Sequence, residues 1–338
     1  SEEFTYKHET IEKPRVGMIV LAPLRSGEKI GVITKVNSVL NDSKIKLKFI
    51  KKISPEYRLN SKMIKFLNWV SNYNLIDRGL VLKMILSHSK FYFKKKKTKE
   101  LTSNIKKNVK TIKLSLEQKR ASQDILKIFQ QRNFKPVLLD GVPGSGKTEV
   151  YFDVIKKFIK DGEQVLIMFP EVSLTGDFVN RIEERFGFSP VVWHSKISTG
   201  YKTKVLKSII DGTSQIIIGA RSSLFLPYKN LSMIVLDEEH DSSYKQEEQG
   251  IYHARDMSVV KCSIEDIPII LTSATPSLET IFNVMNKKYN KVSIKNKYFN
   301  QEENEIFRVK MKVEILIIDL GFCALLVVGG GRRGGGGR

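Results

Sequence analysis

The stretch Pro136-Val-Leu-Leu-Asp-Gly-Val-Pro-Gly-Ser-Gly-Lys-Thr-Glu149 decides the fold. An apolar run suited to a buried strand ends at Leu139, glycines follow at 141, 144 and 146, and a helical pattern opens at Lys147. Glycine lets successive backbone N–H groups turn inward around phosphate oxygens, and the start of a helix adds favourable dipole charge. Gly141, Val142, Pro143, Gly144, Ser145, Gly146, Lys147, Thr148 and Glu149 are therefore candidate nucleotide-binding residues. Lys147 can reach the β- and γ-phosphates, and Thr148 can place its hydroxyl on Mg²⁺. The loop names a ligand, ATP with Mg²⁺, and leaves the job open, since kinases, GTPases and transporter ATPases use the same device.

Outward from this loop the pattern repeats. Apolar runs at Gln164 to Phe169, Val191 to Trp193, Gln215 to Ile218, Met233 to Leu236 and Ile267 to Leu271 read as strands. Helical patterns at 147–160, 173–186, 201–211 and 254–264 fall between most of them. Continuous Val/Ile/Leu strands joined by helices predict an α/β fold, a parallel sheet covered on both faces. This is a RecA-like P-loop lobe, expected over residues 114–300.

Asp237-Glu-Glu-His240 ends the apolar strand at Leu236, so its carboxylates arrive at the sheet's C-terminal edge. Asp237 would hold Mg²⁺ and Glu238 would orient and polarise an attacking water, which points to hydrolysis. Lys147, Asp237 and Glu238 are the candidate catalytic set. His240 is near enough to sense a γ-phosphate or to pair with the next strand's loop, and a packed or solvated histidine fits the spacing equally well. Ser273-Ala-Thr275 follows the next strand to the same edge, where Ser273 and Thr275 suit coupling of nucleotide state to nucleic acid.

Before the lobe, short β-rich runs at Met18 to Leu21, Ile30 to Ile33 and Ile45 to Leu47 are separated by turn residues. Helical patterns at Ser61 to Tyr73 and Arg78 to Ser87 should cap that β unit, giving a small β-rich domain over 1–93. Residues 94–113 read as a basic linker, with a phosphate-contacting strap as the other reading. Residues 301–338 end in a Gly/Arg-rich run that is expected to be disordered or aberrant. Lysine and arginine number 57 against 36 acidic residues, a formal charge of +21, which favours a polyanionic partner such as DNA or RNA. A lysine-rich proteome would produce the same excess. Two cysteines cannot make a disulfide framework or a four-cysteine zinc site. No signal-peptide pattern opens the sequence, and the apolar run 315–328 is broken by Asp319 and is short of the roughly 20 residues needed to span a bilayer. A cytoplasmic location and no membrane partner are expected.

The chain resembles superfamily 2 helicases, and within them the PriA family of replication-restart DNA helicases. The strings that carry this are Gly141 to Tyr151, Pro170 to Thr175, Gly219 to Phe225, Asp237 to Gln246, Tyr252 to Asp256 and Ser273 to Ser277. The resemblance implies that Gln118 reads adenine and that Thr175 and Arg221 are DNA contacts. It also implies that Tyr244 and Tyr252, with His253, belong to an aromatic-rich loop relaying DNA binding to ATP hydrolysis. Residues 4–33 are similar to the family's domain that binds the 3′ end of a nascent strand at a fork. Primosome proteins, single-strand-binding protein and forked or single-stranded DNA are the implied partners, and 3′-to-5′ unwinding the implied polarity.

The chain departs from the family's pattern at three points. The 94–113 spacer is too short for the winged-helix domain the family usually carries there. The family's eight zinc-binding cysteines are absent, so no zinc is expected. A second RecA-like lobe, which would supply an arginine to the transition state, is not in the sequence. The expectation is thus an ATP-dependent helicase that is impaired as it stands. The alternatives are a degenerate ATP- and DNA-binding module without unwinding activity and another superfamily 2 translocase.

Overall fold

The computed structural model describes most of residues 3–296; outside the described residues lie 10–12, 26, 37–45, 88, 94–108, 132–133, 160–161, 171–175 and 249. Residues 300–338 form a separate unit in which only two short antiparallel strands, Ile315–Leu316 and Val327–Val328, are described. The expectations for the 94–108 stretch and for most of the 301–338 tail therefore fall outside the described residues.

The chain opens with three antiparallel strands, β1 (Met18–Leu24), β2 (Gly27–Val32) and β3 (Lys52–Arg58), in the order β2-β1-β3. The third strand is not the expected Ile45 to Leu47: Lys46 to Lys48 have no regular structure, and Phe49 makes only a bridge to Lys7. The strand instead contains Pro55, which a central strand would not tolerate. Its position at the sheet edge, with a register shift opposite Met18 and Val20, accommodates the missing N–H.

Helices α1 (Ser61–Asn74) and α2 (Arg78–Ile85) follow where the periodicity predicts them. Asn60 and Asp77 cap them, each accepting a backbone N–H with its side chain. The helices do more than cap the sheet. The segment Ser89–Phe93 covers β3, with Tyr57 against Phe91 at 5.0 Å between ring centroids, while α1 lies on the lobe. Phe66 meets Phe225 at 5.8 Å, and Lys62 donates to the Glu265 carbonyl at 2.7 Å. One buried apolar cluster runs from Ile19 and Leu59 through Phe66 and Ile85 to Phe225 and Met257.

The lobe comprises α3 (Leu116–Phe129), β4 (Val137–Gly141), α4 (Lys147–Phe158), β5 (Gln164–Met168), α5 (Gly176–Phe186), β6 (Val191–Trp193), α6 (Thr199–Asp211), β7 (Ile216–Gly219) and β8 (Leu231–Leu236). After a two-strand hairpin, β9 (Lys245–Gln246) with β10 (Tyr252–His253), come α7 (Ala254–Glu265), β11 (Ile269–Ser273), α8 (Leu278–Met285) and β12 (Asn290–Ile294). Seven strands pair in the order β12-β4-β11-β8-β5-β7-β6, all parallel. Leu138, Leu166, Ile217 and Ile234 face one buried cluster, and Val137, Leu139, Val165, Ile167, Ile216 and Val235 face the other. That alternation is the two-sided burial the apolar runs demanded, and it makes the expected α/β lobe. Strand β12, which the hydropathy of Asn290-Lys-Val-Ser-Ile294 hides, closes the sheet beside β4. No helix among the described residues is long and apolar enough to cross a membrane.

Where α1 meets α7, Lys261 is buried to 1% exposure, with its ammonium 4.9 Å from the Phe66 ring centroid and 5.8 Å from that of Tyr228. Burial pushes its pKa from 10.5 down to about 8, against the pull of Glu265 and Cys262. The unfolded chain binds the proton more tightly, so the contribution of Lys261 to stability should rise as pH increases from about 8 to 10.5, opposite in sign to that of the buried Cys262 thiol and Tyr228 hydroxyl, whose pKa values burial raises. Lys261→Met should remove that slope and raise the thermal midpoint at neutral pH by several degrees, on the order of 2 kcal/mol of relieved desolvation. Melting curves across pH test this; an unchanged slope would contradict it.

Candidate active site

The phosphate loop is built where β4 hands the chain to α4. Gly144 and Gly146 take φ of 78° and 80°, the left-handed region that glycine occupies without strain. A Cβ on Gly146 would displace the Gln118 side-chain amide, in addition to the strain of the positive φ. Ser115 caps α3, its hydroxyl accepting the Gln118 N–H at 3.2 Å, while the Gln118 side-chain oxygen Oε1 accepts the Ser115 N–H at 3.0 Å. The Gln118 amide donates to the Ser145 carbonyl at 2.9 Å, and so joins α3 to the loop. Lys147, at the first position of α4, donates to the Gly141 carbonyl at 2.8 Å. The Ser145 hydroxyl is buried without a partner among the described residues, an orphaned polar atom in a loop otherwise shaped for phosphate.

Facing the loop, the Asp237 carboxylate gathers three donors. Tyr151 of α4 donates its hydroxyl to Oδ2 at 2.9 Å, Thr272 of β11 donates to Oδ1, and the Glu238 N–H donates to Oδ1 at 3.1 Å. The Tyr151 hydroxyl, fully buried and beside this charge, has its pKa pushed well up and stays a donor. Glu238 adopts φ of 47°, uncommon for a residue with a Cβ and costing on the order of 1 kcal/mol. Its neighbours hold it there: the Glu239 N–H donates to the Thr272 carbonyl at 2.9 Å and the Asp241 N–H to the Glu238 carbonyl at 2.9 Å. Burial raises the Glu238 pKa, the Asp237 charge raises it further, and Lys147 opposes both.

A single cavity of about 770 Å³ is lined by Gln118, Pro143, Gly144, Gly146, Lys147, Thr148, Glu149, Asp237, Glu238, His240 and Thr275, together with Ile112, Arg181 and Ala274. The residues expected to bind nucleotide and those expected to hydrolyse it thus share one space. Their donor set fits Mg²⁺ with a nucleotide: one carboxylate and one hydroxyl leave most of the metal's octahedral positions to phosphate oxygens and water. His240 Nδ1 lies 2.8 Å from the Ser273 hydroxyl and 3.6 Å from Glu238. The Ser273 hydroxyl accepts the Thr275 N–H at 3.0 Å. His240 thus contacts the end of β11 while also lining the cavity.

Arg221, Tyr244 and Tyr252 do not line the cavity. Arg221 donates from Nη1 to the Ser243 and Lys245 carbonyls at 2.8 and 2.9 Å, and so ties down the 241–246 loop with that nitrogen. Tyr244 is buried, its hydroxyl donating to the Asp237 carbonyl at 2.6 Å and lying 3.0 Å from the Met168 carbonyl. Tyr252 packs edge-on against Phe225 at 5.2 Å. Thr175 lies outside the described residues.

Sequence reasoning missed three parts of this site. Tyr151 sits four residues after Lys147, on the same helix face, and that spacing was a usable signal. Thr272 had no signal beyond its place before Ser273. Glu239, fully buried, accepts from the Ser277 N–H at 2.7 Å, the Thr280 hydroxyl at 2.9 Å and Arg255 at 3.3 Å, a network that no local pattern announces.

A DEAD/DEAH box helicase family model matches residues 115–284, and a PriA 3′ DNA-binding domain model matches residues 1–87. The replication restart protein PriA of Rickettsia conorii is 38% identical over 302 residues, covering 89% of this chain and 45% of that protein. PriA of Bacillus subtilis is 38% identical over 209 residues, 62% of this chain and 26% of that protein. PriA of Haemophilus influenzae is 43% identical over 179 residues, 53% of this chain and 24% of that protein. The chain thus spans less than half the length of these relatives. The family-wide match over the α/β lobe and the PriA-type match before it together assign the chain: it belongs to the DEAD/DEAH box helicase family, in the branch of the replication restart proteins PriA.

Proposed function

We propose that this chain is the nucleotide-binding and DNA-engaging part of a replication-restart DNA helicase, using ATP hydrolysis to drive 3′-to-5′ unwinding at forks. The observation that carries the reading is the convergence of Lys147, Thr148, Asp237 and Glu238 on one cavity at the C-terminal edge of the sheet. ATP with Mg²⁺ supplies the scissile phosphoanhydride and the metal's charge when bound. Lys147 would exchange the Gly141 carbonyl for the phosphates, which the backbone N–H groups of residues 144–148 would cradle. Asp237 and Thr148 would hold the metal. Glu238 in its ionised form orients a water and accepts its proton, and its raised pKa makes it a better base near neutrality. Ser273 and Thr275, reached through His240, and the loop held by Arg221 would report DNA occupancy to this site.

The excess of 57 basic over 36 acidic residues and the match of residues 1–87 to a 3′ DNA-binding domain support DNA as the partner. Primosome proteins and single-strand-binding protein in the cytoplasm complete the proposal.

Fork-stimulated ATP hydrolysis, compared between the chain and Lys147→Ala, tests the function. Hydrolysis that rises with forked DNA and needs Lys147 supports it; ATP and DNA binding without stimulated hydrolysis would support the degenerate-module reading. Glu238→Gln should keep nucleotide affinity and lower hydrolysis by about 10²- to 10⁴-fold.

A further inference from the structure

The β9–β10 hairpin is too small to hold itself. Tyr252 pairs with Gln246 and His253 with Lys245, and an isolated two-stranded hairpin is marginal in water without something to pack on. Its base is held by the lobe: Arg221 donates to the Ser243 and Lys245 carbonyls, and Tyr252 packs edge-on against Phe225. Its tip is held by the N-terminal domain.

At that tip Gly250 takes φ of 110°, a backbone conformation that side-chain-bearing residues rarely adopt. A Cβ there would lie 3.1 Å from Leu80 Cδ2, 3.3 Å from Met84 Cε and 3.4 Å from Ile76 Cδ1. Leu80 and Met84 stand one turn apart on α2, and Ile76 lies just before that helix, so the three form an apolar seat that fits a residue without a side chain. The N-terminal helices also reach the hairpin's base, because Phe66 of α1 packs on the same Phe225 that carries Tyr252. Beside the seat is a cavity of about 350 Å³, walled by Leu80 and Met84 from α2 and by Phe225, Gln246 and Tyr252 from the lobe. The tip therefore rests on a narrow contact with open space next to it, and the hairpin has room to shift.

We infer that α2 is a brace that sets the position of the β9–β10 hairpin, and that nucleic acid held by the N-terminal domain moves the hairpin through it. Leu80 and Met84 are its positioning residues. The brace itself stands on the geometry alone; the transmission rests on the reading of residues 1–87 as a DNA-binding domain.

Amide hydrogen exchange on the full chain tests both parts. In a Leu80→Ala, Met84→Ala double variant the segment 245–253 should exchange about tenfold faster, as a locally opened unit does, while residues 165–168 of β5 keep their rates. Met84→Ala alone should give a smaller change of the same pattern. Unchanged exchange in the hairpin, or an equal acceleration in β5, would overturn the brace. Adding a single-stranded oligonucleotide with a free 3′ end should alter exchange in the hairpin of the unmodified chain. In the double variant it should bind with the same affinity and leave the hairpin as it was. An equal hairpin response in both proteins would overturn the transmission. If the oligonucleotide does not bind the unmodified chain, the DNA reading fails and the transmission with it, while the brace is still decided by the first comparison.

Discussion

The Asp237 carboxylate is the junction on which this architecture depends. It stands at the end of β8 and takes hydrogen bonds from Tyr151 on α4 and Thr272 on β11, so one charged group ties three elements of the lobe together. The bonds leave the carboxylate aimed at the cavity shared with Lys147 and Thr148. They also fix the start of the turn in which Glu238 is held at positive φ, a conformation that persists only where the surroundings over-determine it. The residues proposed to carry hydrolysis are held in this turn by that anchor.

From that junction two networks lead outward. Through Glu239 the turn is joined to Ser277, Thr280 and Arg255, which brings the N-terminus of α8 and the start of α7 into contact with the end of β8. Through Tyr244 and Arg221 the 241–246 loop is pinned to β5, to Asp237 and to the segment after β7. The Tyr244 hydroxyl is the hydrogen-bonded link between that loop and Asp237. The N-terminal helices share in this arrangement, since Phe66 packs on Phe225, which in turn packs on Tyr252.

Most of the lobe was legible because its signals are local. Strands buried on both faces must be continuous apolar runs, and the phosphate loop needs glycine where φ is positive, so both leave their mark in short stretches of sequence. The motifs ending β4, β8 and β11 could be assigned to one sheet edge because a parallel sheet sends all such ends the same way. What stayed hidden is tertiary. Strand β12 alternates polar and apolar residues at a sheet edge, β3 carries a proline tolerated only there, and the partners of Glu239 are separated from it by 16 to 41 positions. Arg181 and Ile112 gave no signal because a surface arginine and an isoleucine in a basic stretch are ordinary until their shared cavity is seen.

The central claim is that Asp237 holds the metal of a nucleotide complex. Titrating ADP into the chain at increasing Mg²⁺, with Asp237→Asn measured in parallel, tests it most directly. ADP affinity should rise with Mg²⁺ in the unmodified chain and lose most of that dependence in Asp237→Asn, which keeps the shape and removes the charge. An equal Mg²⁺ dependence in both would contradict the account.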